Sequence, residues 1–223
     1  MSMTQDRKQE SLARMLRVAP VIPVLTIPDA TQAPALARAL AAGGASVIEV
    51  TLRTAAGLES IRRIAAEVPE VMVGVGTITT PADLEQSVRA GAVFAVSPGA
   101  TESIVDAADA SAIPLLPGVM TVAEAMRLAE RGYRHLKLFP ANIAGGVPFL
   151  QAIHAPLPQL RFCPTGGINL SNLGEYLRTP NVICVGGSWL APKEQVERRE
   201  WGAITRNAEQ VRIAAAAIPG RTA

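Results

Sequence analysis

A chain of 223 residues is long enough to bury the core of one domain. Hydrophobic residues make up 49% and charged residues 18%, which excludes a disordered chain, and a formal net charge of +2 argues against a nucleic acid or other polyanion as partner. A small phosphorylated ligand needs only local positive charge and remains compatible with this balance.

The sequence opens on MSMTQDRKQE, too polar for a secretory signal, and nowhere holds an apolar run near the roughly 20 residues that span a bilayer. A cytoplasmic protein without a membrane partner is the expectation. A first helix is predicted over 6–18. Short β-branched runs then alternate with Ala/Leu-rich stretches of helical period. Strands are predicted at 21–27, 46–52, 71–77, 93–97, 114–117, 136–140, 161–165 and 182–186. Helices are predicted at 33–42, 57–67, 81–90, 102–110, 122–131, 147–154 and 171–177, with a last one over 200–217. Pro81 after Thr80, and Thr121 with Glu124, mark helix starts, while Gly43-Gly44, Gly91 and Gly132 mark stops. Alternating strands and helices without a linker predict α/β class and a (β/α)8 TIM barrel, one domain over 1–223 with an extra N-terminal helix. The two terminal helices are expected to flank the barrel and cover its base. A doubly wound open sheet is the alternative.

In such a barrel, active-site groups project from the carboxyl ends of the strands. The second strand, VIEVTLRT, puts Glu49, Thr51 and Arg53 on one face by alternation. A carboxylate buried there needs a partner or a task, and an ion pair with Arg53 is the structural alternative. The third strand ends VGVGT, with Thr77 at its tip in what resembles a ligand-binding turn. The fourth and fifth end in SPG (Ser97–Gly99) and PGV (Pro117–Val119), tight turns for which a structural role suffices. The sixth strand reads HLKLFPA. The chain has three lysines, and Lys8 and Lys193 lie among polar residues, whereas Lys137 falls in an apolar strand. An amine can lose its proton when desolvated and a guanidinium practically cannot, so lysine here fits a nucleophile for a carbonyl carbon. A side chain snorkelling out of the strand end is the alternative. The last two strands end CPTGGI and CVGGSWL, where backbone N–H groups of Gly166, Gly167, Gly186, Gly187 and Ser188 can hold a phosphate without side-chain charge.

Cys163 and Cys184 sit inside predicted strands and read as buried thiols, with a disulfide as the alternative. His135 and His154 are the two histidines, and no His, Cys and Asp set has metal-ligand spacing, so neither a metal nor a cofactor is expected.

With these residues assembled, the sequence resembles the 2-keto-3-deoxy-6-phosphogluconate (KDPG) aldolase and 4-hydroxy-2-oxoglutarate aldolase family. The matching stretches are EVTLRT, VGVGT, SPG, PLLPGV, KLFPA, RFCPTGGI and VGGSWL, in the family's order. The resemblance implies a (β/α)8 class I aldolase of the Entner–Doudoroff pathway, a homotrimer whose partners are a phosphorylated 2-keto acid and pyruvate. It implies Lys137 as the Schiff-base lysine and Glu49 as the general acid/base. It further implies Arg53, Thr77 and Thr165 at the substrate carboxylate, and Gly166, Gly167, Gly186, Gly187 and Ser188 at the phosphate. Leu138 and the NIAGG loop depart from the family pattern, and Thr165 favours the gluconate over the galactonate substrate. A 2-keto-3-deoxy-6-phosphogalactonate aldolase, a phosphosugar isomerase or synthase, and a non-catalytic metabolite-binding barrel are the rival expectations.

Overall fold

The computed structural model describes residues 4–219, so residues 1–3 of the polar opening segment and 220–223 lie outside it. Helix α1 (Gln5–Val18) starts where the Thr4 hydroxyl accepts the Arg7 N–H. Asp6 in its first turn and Arg17 in its last complement the helix dipole. Its apolar face, Leu12, Met15 and Leu16, packs on Ile22, Val47, Phe94, Leu116 and Cys184, which lie mostly in the early parts of strands. This face closes the N-terminal end of the sheet. The Cys163 and Cys184 thiols are buried in the same cluster.

Strands β1 (Val21–Leu25), β2 (Val47–Thr51), β3 (Met72–Gly76), β4 (Ala95–Val96), β5 (Leu115–Leu116) and β9 (Val185–Gly187) form one sheet in the order β5-β4-β3-β2-β1-β9. A second sheet runs β6 (Gly118–Val119), β7 (His135–Leu138), β8 (Arg161–Pro164). Every pairing is parallel. The result is an α/β fold around a curled parallel sheet. Two differences from the predicted eight strands have local causes. Pro117 has no N–H and divides the fifth strand into β5 and β6. The segment from 182 into β9 joins the β8 segment through isolated parallel bridges, Phe162–Val182 and Thr165–Gly186, rather than as a continuous strand pairing.

Between the strands run α2 (Ala33–Ala42), α3 (Gly57–Glu67), α4 (Pro81–Arg89), α5 (Glu102–Ala110), α6 (Val122–Glu130), α7 (Gly146–His154) and α8 (Leu173–Leu177). Both expected starts are capping boxes, Thr80 with Asp83 and Thr121 with Glu124. Two more helices, α9 (Lys193–Glu197) and α10 (Trp201–Ala216), follow β9. Helix α10 flanks the sheet, its last turns facing the beginnings of β1 and β8 across a cavity. It packs against α2, α8 and α9, and Gly43 admits it so closely that a Cβ there would lie 2.5 Å from Ala208 Cβ. None of the described helices is long and apolar enough to cross a membrane.

Lys8 is not in polar surroundings. It is 1% exposed, and its Nζ donates to the carbonyls of Ala108 and Asp109, each at 2.8 Å, at the end of α5. Burial pushes its pKa down, against the pull of the Asp109 charge. It ties α1 to α5 as a cation on a helix C-terminus. Beside it, Gln9 Oε1 accepts the backbone N–H groups of Arg134 and His135 at 2.8 and 3.1 Å and faces His135 Nδ1 at 3.1 Å. An oxygen already taken as acceptor fixes the proton on Nδ1. Burial, then the charges of Arg17, Arg134 and Arg161, push the His135 pKa down to about 4.

Candidate active site

Alternation along β7 sends Leu136 and Leu138 outward into the helix-facing core and leaves Lys137 on the inner face. On β2, Ile48 and Val50 likewise face the helices, so Glu49 and Thr51 point inward. The two polar side chains meet across the interior. Lys137 Nζ lies 3.4 Å from Glu49 Oε1, and each side chain is 4% exposed. The Phe139 ring covers the amine, its centroid 5.2 Å from Nζ. Lys137 therefore does not snorkel to solvent, and Glu49 takes Lys137 rather than Arg53 as its ion-pair partner.

Glu49 can stand there because β3 supplies no side chain at Gly76. A Cβ built on Gly76 would lie 2.0 Å from Glu49 Oε1. Gly74, one pleat below, receives the Phe94 ring in the same way. The VGVG run thus makes room for two neighbouring side chains.

Strand β2 ends at Thr51, and the chain turns before Arg53, which is exposed just past the carboxyl end. Thr77, directly after β3, holds φ +65°. A β-branched residue is a genuine outlier in the left-handed region, and such strain gathers at ligand sites. Thr165, directly after β8, is 8% exposed and packs on Gly186, where a Cβ would meet its Oγ1 at 2.3 Å. Gly166 and Gly167 follow at φ +102° and +76°. Asn172 Nδ2 donates to the Gly167 carbonyl at 3.0 Å and fixes that turn. Gly187 is covered by the Trp189 ring, and Ser188 is exposed. Every one of these residues lies at the carboxyl end of a strand, as expected. Direct contact joins Lys137 with Glu49 and Thr165 with Gly186.

Phe139 and Thr26 escaped sequence reasoning. The aromatic two residues beyond Lys137 was the available signal for Phe139. Thr26 follows β1, and its Oγ1 lies 3.3 Å from that of Thr51.

A cavity of about 510 Å³ lies elsewhere, between the last turns of α10 and the beginnings of β1 and β8, lined by Arg17, Pro20, Val182 and Arg212 among others. It is at the opposite end of the strands from Lys137. None of the site residues predicted from sequence lines it. Among the described residues, no group of three or more His, Cys, Asp or Glu is arranged to hold a metal ion.

The aldolase family described as KDPG and KHG aldolase matches residues 12–207. A 2-dehydro-3-deoxy-phosphogluconate aldolase of Pseudoalteromonas atlantica is 50% identical over 199 residues, 89% of this chain and 93% of that protein. The KHG/KDPG aldolase of Escherichia coli is 46% identical over 200 residues, covering 90% of this chain and 94% of its own. The crystal structure of a KDPG aldolase from Legionella pneumophila, with pyruvate captured at low pH as a covalent carbinolamine intermediate, superposes with a TM-score of 0.88. It is 46% identical and covers 89% of this chain and 97% of that one.

Proposed function

The chain belongs to the KDPG and KHG aldolase family, and on that premise we propose that it is a class I aldolase cleaving 2-keto-3-deoxy-6-phosphogluconate to pyruvate and glyceraldehyde 3-phosphate. The observation that carries the assignment is the buried Lys137–Glu49 pair on the inner face of the sheet. 4-Hydroxy-2-oxoglutarate is a second substrate, in keeping with the double name of the Escherichia coli relative.

The chemistry runs through these two side chains. Lys137 gives a proton to Glu49 and its Nζ attacks the C2 carbonyl; Glu49 returns the proton to the carbinolamine hydroxyl, which leaves as water to give an iminium. That cation draws the electrons of the C3–C4 bond as it breaks, giving an enamine, while Glu49 takes the C4 hydroxyl proton and the aldehyde departs. The enamine recovers a proton at C3 from the Glu49 carboxyl, and water hydrolyses the iminium to release pyruvate and free lysine. Burial strengthens each charge interaction along this path. Arg53, with Thr77 and Thr165, orients the substrate carboxylate, a role suited to a guanidinium fork. Gly166, Gly167, Gly186, Gly187 and Ser188 receive the phosphate on backbone N–H groups.

The finer architecture belongs to the same proposal. The two sheets are one closed (β/α)8 barrel in a single domain, supported by the one-residue gap at Pro117 and the bridges from β8 to the β9 segment. A homotrimer is the assembly, supported by exposed Met120, Val122, Met126 and Ile143 after the adjacent strands β6 and β7. The cytoplasm is the proposed location.

The test is pyruvate release from both acids, followed with NADH and lactate dehydrogenase. Turnover of the phosphorylated acid supports the assignment, and no pyruvate from either acid contradicts it.

A further inference from the structure

Strand order places β1 between β9, which carries the proposed phosphate loop, and β2, which carries Glu49. Lys137 Nζ lies against Glu49 in the interior, so a substrate reaching from an iminium there to the β9 loop passes the tip of β1. The residue there is Thr26. Ile22 faces the interior cluster, so Val24 and Thr26 follow it on the inner face, and the register sets Val24 beside Glu49. Thr26 is one inward position higher, beside Thr51, and exposed at the mouth. Glu49 leans upward to reach the space over Gly76, and Gly76 is level with Thr51. The Thr26 hydroxyl and the Glu49 carboxylate therefore sit at one height on neighbouring strands.

The proton count at Thr26 is determined. Thr51 Oγ1 donates its single hydrogen to the Leu25 carbonyl at 2.9 Å. In its 3.3 Å contact with Thr26 it can then only accept, so Thr26 is the donor. With its hydrogen spent on Thr51, the Thr26 oxygen offers the mouth lone pairs alone. It favours a ligand hydroxyl and gives nothing to a carboxylate.

We propose that Thr26 is a specificity-determining residue whose Oγ1 accepts a hydrogen bond from the C5 hydroxyl of the phosphorylated six-carbon acid. The contact rests on the aldolase assignment above. It selects for that acid over 4-hydroxy-2-oxoglutarate, whose C5 is a carboxylate carbon without a proton to give. Thr51 is a positioning residue that acts through Thr26.

The test compares kcat/KM for the two acids in the wild type, Thr26→Val and Thr26→Ser, together with borohydride trapping of pyruvate. Valine keeps the shape and removes the oxygen. In Thr26→Val the ratio of kcat/KM, phosphorylated acid over 4-hydroxy-2-oxoglutarate, is expected to fall roughly tenfold, about one hydrogen bond. Thr26→Ser should restore the ratio, and trapping should proceed in all three. An unchanged ratio in Thr26→Val, or equal loss on both acids, overturns the proposal. A wild type that cleaves neither acid overturns the aldolase assignment itself, and the contact with it.

Discussion

The Glu49 carboxylate occupies the space that a side chain at Gly76 would fill, with a Cβ there falling 2.0 Å from Oε1. One missing methyl on β3 thus sets where the acid on β2 can stand. From that position Glu49 reaches Lys137 at 3.4 Å. A carboxylate held by exclusion as well as by charge is a preorganised group, and displacement of about 1 Å costs such a group roughly a hundredfold in rate.

Gly76→Ala should therefore lower kcat by about two orders of magnitude while the protein stays folded. Steady-state kinetics beside circular dichroism checks this. Wild-type kcat in a folded variant would show that Glu49 is not positioned by Gly76.

Glu49→Gln should still form the pyruvate adduct on Lys137, because the amine and its access remain. Cleavage should fall by roughly 10²- to 10⁴-fold, the usual worth of a positioned acid/base. Full activity in this variant would remove Glu49 from the proton-transfer role.

Thr77 holds φ +65°, which costs a β-branched residue about 1–3 kcal/mol. Asparagine tolerates that region better. Thr77→Asn should raise Tm by a few degrees and raise KM by weakening the carboxylate end of the site. A lower Tm would show that the Thr77 side chain contributes more packing than its backbone costs.

Stability should fall in mild acid through His135. Its folded pKa, about 4, lies below the ordinary 6.5, so the unfolded chain binds the proton first as pH drops. The contribution is fully present above pH 6.5 and is lost progressively as pH falls toward 4, amounting to about 3 kcal/mol. Urea unfolding of the wild type and His135→Gln between pH 7 and pH 4 measures it. Equal slopes for the two proteins would contradict it.

Much of the architecture was legible because strand and helix periods were clean and the caps were standard residues. The predicted helices at 33–42, 57–67 and 102–110 match α2, α3 and α5 to the residue. The fifth strand was read as one run because hydrophobicity does not register the missing N–H of Pro117. Arg53 was placed on the Glu49 face by extending alternation past Thr51, where the chain has already turned. Lys8 was misread because its sequence neighbours are polar, while its burial comes from α5, a hundred residues away. Burial alone therefore does not mark a nucleophile: Lys8 is spent on two carbonyls, and Lys137 faces a carboxylate and an aromatic ring. Glu49 and Lys137 could be named from sequence one at a time, but only the fold, which turns both inward from separate sheets, pairs them.

The most direct test of the central claim is to incubate the protein with pyruvate and sodium borohydride and map the peptides by mass spectrometry. The account predicts a reduced pyruvyl adduct on Lys137 and none on Lys8 or Lys193. An unmodified Lys137, or an adduct on either other lysine in its place, would contradict it.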